Sequence, residues 1–243
     1  MESILAIETS VPEASIALWS DGAWLFEAEF VSDRNHNSMV FEPLAQALAL
    51  LEGRKLSTVL VGTGPGSYSG TRIGIAAAQG LAIAKSCPAA GIGSIAATPP
   101  ARSVDRSVDR SVARPAARPA AAHTAATAIG DARRGLYYIS PITASGEAEE
   151  PELMDAAVLE QRLASIPDDL LFTLDAPTTL GLNDQLQERI TRTQPQARLL
   201  VDVWLGLDEV RRQQLYSTPL APTYLRAPFT SKAKQGHPLL RRG

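Results

Sequence analysis

Apolar residues recur with a period of two at the start of the chain, then with a helical period, then in short unbroken runs. Ser3 to Glu8 (SILAIE), Ala14 to Trp19 and Ala23 to Phe30 predict three strands. The last two are joined by Ser20-Asp21-Gly22, and Asp-Gly between apolar runs is a strong hairpin signal. From His36 to Leu51 the spacing turns helical, with Val40, Leu44, Ala47, Leu48 and Leu51 along one face. Pro43 is expected to kink this helix near its first turn. Val59 to Val61 is a short apolar run suited to a covered strand. A glycine-rich turn follows, then a helix from about Thr71 to Lys85 with Ser69 or Gly70 as N-cap, then a strand at about Ala89 to Ile92. The order β-β-β-α-β-α-β implies an α/β fold with a mixed sheet.

The helix at 71–85 carries only three strongly polar side chains, Arg72, Gln79 and Lys85. A helix that is apolar nearly all round is covered nearly all round. Ile73, Ala77, Gly80, Leu81 and Ala84 form one face that can cover the sheet. Gly74, Ala78 and Ala82 then lie on the adjoining face, a turn apart and expected to be open on a monomer. An open apolar stripe of small residues marks an expected interaction surface.

The turn itself admits two readings. Gly64, Pro65, Gly66, Ser67, Gly70, Thr71 and Arg72 form a candidate phosphate cradle, with backbone N–H groups and a helix N-terminus facing an anion. The spacing is not that of a Walker loop: Gly64 to Gly70 is too long, and Thr71-Arg72 stands where Lys-Ser/Thr belongs. The G-x-G-x-x-G dinucleotide pattern does not fit either. The alternative is a purely structural turn that packs strand on helix.

Beyond residue 98 the pattern changes. Residues 99–123 repeat with period four, placing Arg102, Arg106, Arg110, Arg114 and Arg118 in register, while Pro115 and Pro119 interrupt any helix. Without large apolar residues this stretch reads as a low-complexity insertion with nothing to bury. Strands are expected at Ala125 to Gly130, Leu136 to Ile142, Leu170 to Leu174 and Leu199 to Val201. Helices are expected at Asp155 to Ala164, Asn183 to Thr193 and Leu207 to Leu215. Asp131-Ala132-Arg133-Arg134-Gly135 is either a salt-bridged corner or a guanidinium site for phosphate.

With 243 residues and 45% apolar content there is room for one large domain or two lobes. Cys87 is the single cysteine, so no internal disulfide can form, which fits a reducing cytosol. Neither a membrane-length apolar run nor a signal-peptide pattern is expected, and the protein is expected in the cytoplasm. The net charge of −3 is uneven: residues 226–243 hold five cations and no acid, leaving −8 for the rest. The body is therefore not expected to bind nucleic acid strongly, whereas the tail either touches phosphates or simply aids solubility.

GPGSYSGTRIGIAAAQGLA, at residues 64–82, resembles the signature of the TsaB (YeaZ) family, the smaller relative of the TsaD threonylcarbamoyl transferases. ILAIETS at the start, a lone His36, GIGS at 91–94, DARRGLYY at 131–138 and PTYLR at 222–226 extend the resemblance. It implies an actin/Hsp70/sugar-kinase-like (ASKHA) fold, with a complete N-terminal lobe at 1–98 and a truncated C-terminal lobe at 124–225. The insertion at 99–123 and the basic tail at 226–243 complete this domain scheme. It also implies a non-catalytic but required partner of TsaD in forming threonylcarbamoyladenosine next to the anticodon of tRNAs that read codons starting with A. TsaD would carry the metal and transfer the group, the TsaE ATPase would join the complex, and TsaC would supply threonylcarbamoyl-adenylate. Contact with tRNA would be indirect, and the free protein could pair with itself.

The site residues that follow from the resemblance are a partner interface at His36, Val40, Phe41, Leu44, Leu48, Gly74, Ala78 and Ala82. No catalytic residue and no resident cofactor are expected; ATP or ADP would bind only at an interface shared with the partner. The H-x-x-x-H metal pair of the TsaD relatives is reduced to His36, with Val40 four residues on, so no metal is expected. Two other classes stay open: a small ASKHA-type phosphotransferase or ATPase using the glycine turn, and a self-associating module with no tRNA role.

Overall fold

The computed structural model describes residues 2–31, 39–103, 126–143, 145–166 and 169–226. His36, most of the arginine-repeat stretch and the tail beyond Arg226 lie outside the described residues.

Two five-stranded sheets organise the chain. The first holds β1 (Ser3–Glu8), β2 (Glu13–Ser20), β3 (Ala23–Val31), β4 (Thr58–Gly62) and β5 (Ala89–Ile92), in the order β3-β2-β1-β4-β5. β1 and β2 are antiparallel, as are β2 and β3; β4 runs parallel to both β1 and β5. The Asp21-Gly22 turn takes the left-handed backbone expected of it, with positive φ at both residues.

Alternation along β1 sends its side chains to two cores. Leu5 and Ile7 meet α1 (Phe41–Ala49) and α2 (Tyr68–Lys85) through Leu44, Ala47, Ile75 and Ala78. Ile4 and Ala6 face the other way, onto Leu200, Val201 and Trp204 of α6 (Ala197–Leu205). A sheet covered on both faces explains why β1 and β4 are apolar at nearly every position and buried throughout. Pro43 falls within the first turn of α1, where its missing N–H costs no helical bond.

The second sheet holds β6 (Ala126–Asp131), β7 (Leu136–Ile142), β8 (Glu152–Asp155), β9 (Leu170–Thr173) and β10 (Ile190–Arg192), in the order β8-β7-β6-β9-β10. One face is packed by α4 (Ala156–Ala164) and α5 (Asp184–Arg189), through Leu159, Leu163 and Leu186. The other face joins the lobes: Ala126, Tyr138 and Phe172 meet Val11, Ile95 and Leu225.

Three expectations are corrected here. Leu199 to Val201 is not a strand but the middle of α6, because its apolar face is taken up by the first sheet. The helix expected at Asn183 to Thr193 stops at Arg189, and Ile190 to Arg192 instead pair with β9 as an edge strand. The arginine-repeat stretch does not begin loosely at residue 99: Pro99–Ser103 form α3, with Pro100 and Ala101 buried. The last helix, α7 (Glu209–Ser217), lies close to the position expected.

Candidate functional site

In an open α/β sheet, ligand crevices lie at the carboxyl ends of the parallel strands. Here those ends are Glu8 of β1, Gly62 of β4 and Ile92 of β5. Glu8 is fully buried. One of its oxygens accepts the Ser10 backbone N–H at 2.7 Å, and the other accepts the Ser94 hydroxyl at 2.8 Å. Burial pushes the Glu8 pKa up from its ordinary 4.5, against the opposing pull of hydrogen bonds from Ser10, Ser94 and Thr9. A Cβ on Gly62 would stand 1.8 Å from the Glu8 carboxylate, so a glycine is required there.

The glycine turn is packed onto the loop after β1. A Cβ on Gly66 would meet the Ser10 carbonyl oxygen at 2.2 Å, and one on Gly70 the Thr9 carbonyl oxygen at 2.2 Å. Three N–H groups of the turn are engaged within the chain. Gly64 N–H donates to the Ser94 hydroxyl at 3.0 Å, and Ser67 N–H to the Ser10 carbonyl at 2.6 Å. Gly70 N–H donates to the Ser67 hydroxyl at 3.2 Å. Ser67 is therefore the N-cap of α2, ahead of the Ser69 or Gly70 expected, because its side chain is the one that reaches an orphan N–H. Thr9 hydroxyl donates to the Gly70 carbonyl at 2.8 Å, locking the two loops together. A phosphate on these three N–H groups would have to displace the bonds they make within the chain.

Pro65, after a cis peptide bond, is buried in the turn, and Thr71 faces inward, donating to the Ser67 carbonyl at 2.9 Å. Arg72 points outward. Its guanidinium lies 4.0 Å from the centre of the Tyr68 ring and donates twice to the Tyr224 hydroxyl, at 3.1 and 2.7 Å. Tyr224 belongs to the PTYLR segment, which straps the two lobes. Thr223 N–H donates to the Thr63 carbonyl at 2.7 Å on the first lobe, and Arg226 donates to the Arg133 carbonyl at 3.0 Å on the second. The DARRG corner is salt-bridged: Arg133 sits 3.0 Å from Asp131, and Arg133, Arg134 and Gly135 all adopt positive φ. Tyr68, Tyr224 and Ser94 were missed as site residues; nothing in their local spacing announces that residues 156 positions apart in number will share a ring contact, at 6.1 Å between centroids.

The expected partner interface is rearranged. Gly74, Ala78 and Ala82 face the sheet, with Ala78 fully buried. The reason is close approach: Gly74 lies under Thr9, where a Cβ would stand 2.3 Å from its hydroxyl. Val40 and Leu44 are also buried in this core. Phe41 is 62% exposed and Leu48 half-buried; His36 lies outside the described residues. The outward side of α2 is the face assigned above to the sheet, Gly80 and Ala84, with Ile73, Ala77 and Leu81 partly covered beside them. Ile83, 80% exposed, and Ala76 extend it.

Two solved structures share this fold. A protein with similarity to peptidase YeaZ, from Pseudomonas aeruginosa, superposes with a TM-score of 0.64 at 19% identity, over 93% of this chain and 100% of that one. YeaZ from Pseudomonas aeruginosa gives 0.60 at 20% identity, over the same shares. The family model for TsaD, tRNA N6-adenosine threonylcarbamoyltransferase, matches residues 30–110. Over 96 residues the chain is 38% identical to the tRNA threonylcarbamoyladenosine biosynthesis protein TsaB of Escherichia coli K12. The chain is thus similar to proteins of the TsaB (YeaZ) family. The aligned part covers 38% of the chain and spans about two fifths (40%) of the length of that curated relative. The fold shared with these structures is a mixed α/β arrangement of two five-stranded sheets. Among the described residues no helix is long and apolar enough to cross a membrane.

Proposed function

We propose that this TsaB-like chain is a non-catalytic, required partner of a TsaD homologue in N6-threonylcarbamoylation of the adenosine next to the anticodon, in tRNAs reading A-starting codons. The observation that carries this reading is the self-filled crevice. Where an ASKHA enzyme would handle metal and phosphate, Glu8 is buried on Ser10 and Ser94, and three N–H groups of the glycine turn are bonded within the chain. ATP or ADP, TsaE and tRNA would enter through the complex, with any nucleotide at a shared interface.

The docking surface is the outward side of α1 and α2. Phe41, Ile83 and the half-exposed Met39 and Leu50 present large apolar area, and Ala76, Gly80 and Ala84 leave room between them for another helix. A free copy would use the same surface to pair with itself, so TsaD would dissolve the homodimer.

Gly80→Arg tests this. Nothing lies within 4 Å of a Cβ built at Gly80, so the monomer accepts the side chain. Replacing a mid-helix glycine should even stabilise the fold by about 0.5–1 kcal/mol. Co-purification with the host's TsaD homologue should be lost while the melting temperature is kept. Wild-type co-purification would overturn the proposed surface. Turnover of ATP by the pure protein, abolished by Glu8→Gln, would overturn the non-catalytic reading.

A further inference from the structure

The outer mouth of the crevice carries chemistry that a buried, self-satisfied site does not need. Arg72 and Arg226 are both exposed, and among the described residues neither is paired with a carboxylate. Tyr68 is 60% exposed and Tyr224 43%. Arg72 is held rigidly between them, on the Tyr68 ring by cation–π contact and on the Tyr224 hydroxyl by two hydrogen bonds. Tyr224 and Arg226 are two residues apart on the strap, so their Cα atoms lie within about 7 Å of each other. The strap is pinned at Thr63 and at Arg133, so these four side chains are presented together by α2 and the strap.

We infer that Tyr68, Arg72, Tyr224 and Arg226 form a docking site for a short single-stranded nucleic acid. Guanidinium groups meet successive phosphates, and exposed aromatic faces stack unpaired bases. A single strand fits better than a duplex, because paired bases offer no free face to Tyr68 or Tyr224. The acidic balance of the body, −8 outside the tail, disfavours a long double helix laid across it. The contact is direct and belongs to this chain alone. It therefore does not depend on the proposed partnership with TsaD, within which tRNA contact is indirect.

The test is fluorescence anisotropy with the full-length protein and labelled oligoadenylate decamers, one of RNA and one of DNA, at about 50 mM salt. Saturable binding of either is the expected result, and a preference for RNA would identify that source of the shared chemistry. Tyr68→Leu and Tyr224→Leu should each weaken binding about tenfold. Arg72→Gln should reduce the slope of log affinity against log salt by about 0.7. A variant with Lys232, Lys234, Arg241 and Arg242 all changed to Gln should retain the Tyr68 effect. Circular dichroism and melting curves confirm that each variant is folded. Three results would overturn the inference: no binding by the wild type, equal binding by folded Tyr68→Leu, or complete loss of binding in the tail variant. Tighter binding of a blunt duplex than of the single strand would overturn it as well.

Discussion

The two lobes repeat one topology and use it differently. β3-β2-β1-β4-β5 and β8-β7-β6-β9-β10 have the same strand order, the same antiparallel pairs on one side and the same parallel pairs on the other. The first hairpin turn of each shows the divergence. In the first lobe it is Thr9-Ser10, buried under the glycine turn and tied to it by the Thr9 and Ser10 hydrogen bonds. In the second it is the Asp131–Gly135 corner, exposed at Arg133 and closed by a surface ion pair. The helix after the fourth strand diverges equally: α2 runs 18 residues, whereas α5 runs 6. The long helix approaches its sheet closely because glycines at 62, 66, 70 and 74 allow it. The second lobe has no comparable series, and its turn accepts exposed arginines instead. Tight loop packing thus belongs to the lobe whose helix is also the proposed docking surface.

That contrast can be broken from its strongest point downward. Ala78→Arg buries a charge between α2 and the first sheet and should cost about 4 kcal/mol or more, abolishing soluble expression. Soluble protein with an unchanged melting temperature would show that α2 is turned the other way. Gly66→Ala drives a methyl into the Ser10 carbonyl, a backbone atom that cannot step aside, and should cost about 3 kcal/mol in urea unfolding. In the Asp131–Gly135 hairpin turn of the second lobe, Gly135→Ala meets nothing within 4 Å and should cost only about 1 kcal/mol, for its positive φ. Equal losses at the two positions would erase the difference between the turns. Arg133→Ala removes one exposed ion pair and should change stability by no more than about 0.5 kcal/mol.

Glu8 sharpens the same comparison through pH. Its carboxyl pKa is raised by burial, so folding favours the protonated form. The stability it contributes is complete below the ordinary value of 4.5 and is lost as pH rises through the higher folded value. Glu8→Gln keeps the acceptor for Ser10 N–H and cannot ionise. Its melting temperature relative to wild type should therefore rise between pH 4 and pH 8, and a flat difference would mean that Glu8 is not desolvated.

Alternation and turn chemistry alone determine much of this protein. β1, β2 and β3, the Asp21-Gly22 hairpin, β5, β7 and the body of α4 follow from local pattern, because a half- or fully buried strand and a helix each have a period of their own. The glycine spacing at 62–74 announces a close approach, but not that the other surface is the Thr9-Ser10 loop. Only the tertiary structure decided which side of α2 meets the sheet. A helix of alanines, glycines and isoleucines has apolar residues in every direction, so no moment selects a face; the selection is made by shape, where Gly74 and Ala78 let β1 and Thr9 come near. The same holds at Leu199 to Val201 and Ile190 to Arg192. A short apolar run fits either a helix or a strand, and the available neighbour settles which, an open sheet face for α6 and an open strand edge for β10. The meeting of Arg72 with Tyr224 is likewise a property of the folded chain, because residues 152 apart in number become neighbours only once the strap crosses both lobes.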